Sequence, residues 1–176
     1  MSLAAWFSDD PSGAIERAFR RIEEAQMKDL PLCNQALTAE AVGVTRWQEH
    51  WLGCLITPWT LQLVMLPACV DAEALREGDV REWQFPRGPI VFMASENPDL
   101  GVYQACGLLS PVDGLASQEA ARQIAVEVME ILFQAPADMP DGVSVTAPQT
   151  GRLDIEDAAN SATGSTRRDF LHMPPG

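Results

Sequence analysis

Glu49 and His50 stand side by side between Trp47 and Trp51, a carboxylate–imidazole pair of the kind that moves protons in general acid–base catalysis. A histidine flanked by indoles is more often a packing or rim residue, and nothing in the sequence completes a catalytic set around it. His172 is the only other histidine and lies far away. Cys33, Cys54, Cys69 and Cys106 form no Cys-x-x-Cys pair, so they read as free thiols of a reducing cytoplasm. Cys54 and Cys106 each sit in an apolar run, the setting of a small core residue. A metal carrier needs several ligands gathered at one point, and the candidates here are scattered. There is no phosphate-binding loop, dinucleotide fingerprint or nucleophile elbow. Asp113 and Glu119 flank the start of an expected helix, where a carboxylate satisfies backbone N–H groups. These residues predict no catalytic group, no metal and no cofactor.

Recognition chemistry is more legible. Thr166-Arg167-Arg168-Asp169-Phe170-Leu171 has the pattern of a twin-arginine export signal, which belongs at an N-terminus with an apolar stretch behind it. Here only His172 to Gly176 follow. The segment therefore reads as a copy of the signal, with Arg167, Arg168, Phe170 and Leu171 forming a regulatory tail. A groove for such a segment needs carboxylates for the arginines and an apolar pocket for Phe and Leu. Trp47, Trp51 and Trp59 fall within thirteen residues, more indole than a small core hides easily. Thr57-Pro58-Trp59 adds an irregular backbone, expected to offer unpaired carbonyls to an extended peptide. Trp51, Thr57, Pro58 and Trp59 are thus the expected partner contacts, with Tyr103 and Gln104 on a neighbouring strand. A tethered tail would compete for the same groove at an effective concentration near the millimolar range.

The chain has 176 residues, 25 acidic and 12 basic, for a formal charge of −13. That balance excludes nucleic acid, whose phosphates demand a basic face, and disfavours an anionic membrane surface. No run of about 20 apolar residues exists to span a bilayer, so no stable membrane insertion is expected. The opening MSLAAWFSDD lacks a basic region and turns acidic at once, unlike a secretory signal. The expected location is the cytoplasm.

The elements that must position these residues follow from periodicity. Ile15, Ala18, Phe19, Ile22 and Gln26 mark one face of a helix over 13–28. From Leu37 to Ser110, short apolar runs alternate with turn residues. Strands are predicted at Ala39–Val44, Trp51–Thr57, Leu61–Leu66, Arg81–Phe85, Ile90–Ser95 and Tyr103–Leu109, with one helical turn over Ala72–Glu77. Asn97-Pro98-Asp99-Leu100-Gly101 reads as a hairpin turn. Connections this short hold no crossover helices, so the sheet is mainly antiparallel. Ser117 caps a second helix to Phe133, with Ala121, Ile124, Val128, Ile131 and Leu132 as its buried stripe. The fold class is α+β: an antiparallel sheet of five or six strands flanked by an N-terminal and a C-terminal helix, with a flexible C-terminal tail. The expected organisation is one domain over 1–133, a flexible linker over 134–165 and a twin-arginine-like tail over 166–176.

Several blocks carry a family resemblance. They are Trp51-Leu52-Gly53-Cys54-Leu55-Ile56-Thr57-Pro58-Trp59, Leu63-Val64-Met65-Leu66-Pro67, Phe85-Pro86-Arg87-Gly88, Gly101-Val102-Tyr103-Gln104-Ala105-Cys106 and Ser110-Pro111. In order and spacing they resemble the HybE/HupJ/HoxT family of [NiFe]-hydrogenase assembly chaperones. The resemblance implies a non-catalytic cytoplasmic protein. Its partner would be the precursor of the hydrogenase iron–sulfur small subunit, which carries a genuine twin-arginine signal, with the large subunit as a second contact. Its task would be to delay export until maturation is complete. The alternative is a metal- or cofactor-handling accessory enzyme of hydrogenase maturation, built on Cys106, Cys54 or His50.

Overall fold

A computed structural model describes residues 6–27 and 29–136. The predicted linker and tail, with Arg167, Arg168, Phe170 and Leu171, lie almost wholly outside the described residues. All six predicted strands are present: β1 Glu40–Trp47, β2 His50–Ile56, β3 Leu61–Pro67, β4 Val80–Phe85, β5 Gly88–Asn97 and β6 Gly101–Leu109. They form one sheet in the order β1-β2-β3-β6-β5-β4, antiparallel at every step. The predicted turn closes β5 onto β6, where the Asn97 side chain accepts the Asp99 N–H at 2.8 Å.

Helix α1 spans Ser12–Ile22, and a π-helical turn over Glu23–Met27 continues it. Ile15, Ala18 and Phe19 are buried, whereas Gln26 is exposed. Helix α2 spans Gln118–Leu132, and the Ser117 side chain accepts the Ala120 N–H as expected of an N-cap. Its buried stripe is Ala121, Ala125, Met129 and Leu132. Ile124, Val128 and Ile131, expected at its centre, lie half-buried along its flanks. Small residues at the centre let the helix axis approach the strands. A Cβ on Gly43 of β1 would already lie 3.1 Å from Met129 Cγ. The expected helical turn over Ala72–Glu77 does not form. The connection instead makes tight turns, with the Ala72 N–H on the Cys69 carbonyl and the Arg76 N–H on the Asp79 carboxylate.

Strand alternation sorts the side chains onto two faces. Leu52, Cys54, Ile56, Leu61, Leu63 and Met65 meet α2 on one face. Leu55, Val64 and Leu66 meet α1 on the other. The α2 face is concave. β1 and β4 are opposite edges, about 24 Å apart if the sheet were flat. Yet Trp47 of β1 stacks on Phe85 of β4 with ring centroids 4.3 Å apart. His50 likewise meets Trp83 edge-on at 5.0 Å. The sheet therefore curls around α2, and an aromatic clasp joins its two edges.

Part of the bend is built into β1. Between Val42 and Thr45 the register slips by one residue against β2, and Gly43 takes φ 63°. Gly53 faces this bulge, where a Cβ would sit 2.7 Å from Val44 Cγ2. The outer edge of β1 is covered by side chains. Glu23 and Glu16 accept the N–H groups of Ala39 and Ala41, and Arg122 of α2 grips Glu40 at 2.8 Å. That ion pair, chiefly through its hydrogen bond, holds the Glu40 carboxyl below its usual range.

Two consequences are measurable. Gly53→Ala forces a methyl into the bulge and should cost about 1–3 kcal/mol, read as a lower urea midpoint. An unchanged midpoint would mean the bulge relaxes freely. His50 is 2 % exposed and its Nδ1 has no hydrogen-bond partner. Burial holds its imidazole below the ordinary value of 6.5, against a smaller opposing effect of Glu49. In the unfolded chain the same group takes a proton as pH falls through that value, while the native state resists. Stability is thus full above about pH 7 and declines as pH drops toward about 5. The slope should flatten in His50→Gln, and an equal slope in both proteins would place the linkage elsewhere.

Candidate partner-binding surface

The Thr57-Pro58-Trp59 turn joins β2 to β3 at one end of the sheet. Thr57 is fully buried; its hydroxyl accepts the Thr60 N–H at 3.0 Å, and its own N–H donates to the Thr60 carbonyl at 2.9 Å. Pro58 is buried too. The expectation of unpaired carbonyls is corrected here. The Pro58 carbonyl accepts the Asn34 N–H at 2.8 Å, and the Trp59 carbonyl accepts the Ser110 hydroxyl at 3.2 Å. Instead of offering a bare backbone, the turn anchors two loops. Asn34 in the first loop donates from Nδ2 to the carbonyls of Val112 (2.9 Å) and Leu115 (2.7 Å) in the second.

Between these loops lies an open cleft of about 460 Å³, walled by Pro31, Leu32, Asn34, Pro111 and Asp113. Leu30 and Leu32 beside it are 40 % and 51 % exposed. Large apolar side chains held in water by satisfied loops suit a protein partner better than a small substrate. Asp113 supplies a carboxylate on the rim.

The six expected contact residues do not form one site. Trp59 is half-buried near the cleft and packs on the α1 side of the core. Trp51 sits at the opposite end of β2, where its indole N–H donates to the Phe7 carbonyl at 2.9 Å and the Arg46 guanidinium lies 5.9 Å over its ring. Tyr103 is on the outer face, edge-on to Phe19 at 5.9 Å. Its neighbour Gln104 points to the inner face and is 4 % exposed, accepting the Trp83 indole N–H at 2.8 Å. Gln104 therefore holds the aromatic clasp rather than meeting solvent.

The groups considered for catalysis are equally structural in their settings. His50 is sealed under Trp83. Burial pushes the Cys54 thiol up to about 12 and raises Cys106, so both stay protonated at neutral pH. Among the described residues, no three His, Cys, Asp or Glu side chains converge as a metal site, and no helix is long and apolar enough to cross a membrane. A feature missed by periodicity is the outer side of β4 and β5, where Val80, Val91 and Met93 are exposed. The run Ile90-Val91-Phe92-Met93-Ala94, apolar on both faces of a strand, carried that signal.

Known proteins resemble this chain. The family model described as "[NiFe]-hydrogenase assembly, chaperone, HybE" matches residues 10–173. The hydrogenase expression/formation protein HupJ of Bradyrhizobium diazoefficiens is 36% identical over 137 residues, 78% of this chain and 79% of that protein. Protein HoxT of Cupriavidus necator is 34% identical over 134 residues, 69% of this chain and 75% of its own length. The solution structure of HybE from Escherichia coli superposes with a TM-score of 0.62 at 26% identity, covering 80% of this chain and 89% of that one. The blocks around Thr57-Pro58-Trp59, the antiparallel sheet between two helices and these matches agree: the chain belongs to the HybE family of [NiFe]-hydrogenase assembly chaperones.

Proposed function

We propose that this protein binds the precursor of the iron–sulfur small subunit of a [NiFe]-hydrogenase in the cytoplasm and delays its twin-arginine export until maturation is complete. The large subunit is a second contact, and no chemistry is performed on either. The observation that carries this reading is the Arg167-Arg168-Asp169-Phe170-Leu171 segment, a copy of an export signal in a member of a hydrogenase-assembly family. A protein that handles such a signal in its client gains a means of regulation by carrying an imitation of it. The open cleft between the loops that the Thr57-Pro58-Trp59 turn anchors, with Leu30 and Leu32 exposed at it, supports a partner rather than a substrate, and the protonated thiols support a role without catalysis. Delay requires only that the immature client be bound more tightly than the mature one, because each molecule held is withdrawn from export by mass action. Trp51 and Tyr103 remain contacts in this reading, while Gln104 acts through the clasp.

Calorimetric titration with the small-subunit precursor tests it, with and without the signal. The full precursor should bind measurably and the signal-less form more weakly. Trp59→Ala should weaken binding by about tenfold or more while the protein still melts cooperatively. Equal binding of both precursor forms would remove the signal from the mechanism. Binding of the large subunit alone would replace the client.

A further inference from the structure

The outer face of the sheet is only half covered. Helix α1 lies over its β1-β2-β3 half and reaches as far as Tyr103 on β6, which packs with Leu55, Val64 and Leu66. Beyond Tyr103 the β6-β5-β4 half meets no helix of the described residues. Register places Ala105, Met93 and Val80 in one row across the three strands, with Val91 opposite Glu82 in the next. Val80 is 62 % exposed, Met93 56 % and Val91 52 %. Directly opposed side chains on a sheet lie about 5 Å apart, so these residues form one continuous apolar surface.

Gly107 lies in the floor of that surface, two residues along β6 from Ala105. A glycine inside a strand weakens it unless geometry or a neighbour demands it. Here the register of β6 against β3 slips beside Gly107, yet its φ is not in the left-handed region and a Cβ would meet nothing within 4 Å. The bulge accounts for the glycine, and the open space above it leaves room for the backbone of another chain.

The charges of the face are acidic. Glu82 is the ionisable side chain on the exposed rows, and Glu77 is near enough to add to the effect of burial in raising the Tyr103 phenol. Two of the cations near it are already engaged: Arg81 pairs with Glu73 and Arg21 with Asp99. Two copies of this face would stack carboxylate toward carboxylate, which disfavours self-association.

We propose that the uncovered β6-β5-β4 half of the outer face docks an apolar segment flanked by arginine, with Gly107 admitting its backbone and Glu82 meeting its positive end. Such a segment has the chemistry of an export signal's arginine pair and the apolar run behind it. The identity of the partner rests on the function proposed above; the chemistry of the surface does not.

The test uses the full chain and a fluorescent synthetic peptide, an arginine pair followed by about ten leucine and alanine residues, with anisotropy as the readout. Met93→Ser and Glu82→Lys should each weaken binding by about fivefold or more. Gly107→Thr should weaken it too while the protein still melts cooperatively, because the added side chain meets open space. Val70→Ser removes a still more exposed apolar group outside the face and should change nothing. Failure of the peptide to bind, or equal binding by all variants, overturns the proposal. So does a concentration-dependent dimer that Met93→Ser abolishes, which would make the occupant a second copy. Titrating the precursor against the same variants separates the two readings. A precursor bound equally by all of them ends this inference alone. Face-dependent peptide binding without precursor binding ends the client assignment alone.

Discussion

Stacking of Trp47 on Phe85 across the mouth of the curled sheet is the contact from which the rest of the architecture follows. It joins strands that are farthest apart in the sheet order, so it can form only if all six strands coil together. The coil needs extra twist, which the Gly43 bulge supplies, and close packing opposite the bulge, which Gly53 permits. Once the edges are clasped, the inner face becomes a closed trough. Helix α2 fills it through Ala121 and Ala125, His50 and Gln104 are sealed within it, and Trp83 lies half-buried over them. The imidazole considered for proton transfer and the amide expected as a partner contact are thus buried parts of the clasp. The Gln104 side-chain oxygen accepts the Trp83 indole N–H and so ties β6 to the clasp.

The outer face has the opposite fate. A convex surface spreads its rows, and one short helix covers only part of it. Helix α1 is held over β1 by two carboxylates, Glu16 and Glu23, that accept edge N–H groups of Ala39 and Ala41. This arrangement blunts one edge of the sheet against unwanted pairing. It also ties the helix to the β1 side and leaves β4, β5 and much of β6 uncovered.

How much of this was legible in the sequence depended on the range of the interaction. Strands and helices rest on local periodicity, and all eight main elements appear within a few residues of their expected bounds. The Ala72–Glu77 stretch was misread because its helix-forming residues are outweighed by local bonds to Cys69 and Asp79. The stripe of α2 was misread because Ile and Val outrank Ala in hydrophobicity, whereas the bend of β1 rewards small residues at the closest approach. Strand order was beyond reach: hairpins place β4, β5 and β6 side by side, but nothing local says that β6 rather than β4 returns to β3. Without that order, adjacent Tyr103 and Gln104 could be read as one contact pair, although a strand sends them to opposite faces. Thr57-Pro58-Trp59 was found as a motif while its role was not, since the donors that occupy its carbonyls come from Asn34 and Ser110.

These placements bear on how an assembly chaperone can be stable and still expose apolar surface. A buried core must outweigh the conformational entropy of ordering the chain, and here it is concentrated in the trough around α2, with a smaller cluster under α1. Solvent-exposed apolar side chains outside those two clusters add little to that burial. The cleft beside Leu32 and the open rows at Val80, Val91 and Met93 therefore carry apolar groups that the fold does not need for itself. The net charge of −13 opposes the self-association such groups invite and favours a partner of opposite sign. A curled sheet with one face filled and the other half covered thus separates the residues that hold the fold from those free to bind. Substitutions on the open rows can then alter recognition without loss of the core that presents them.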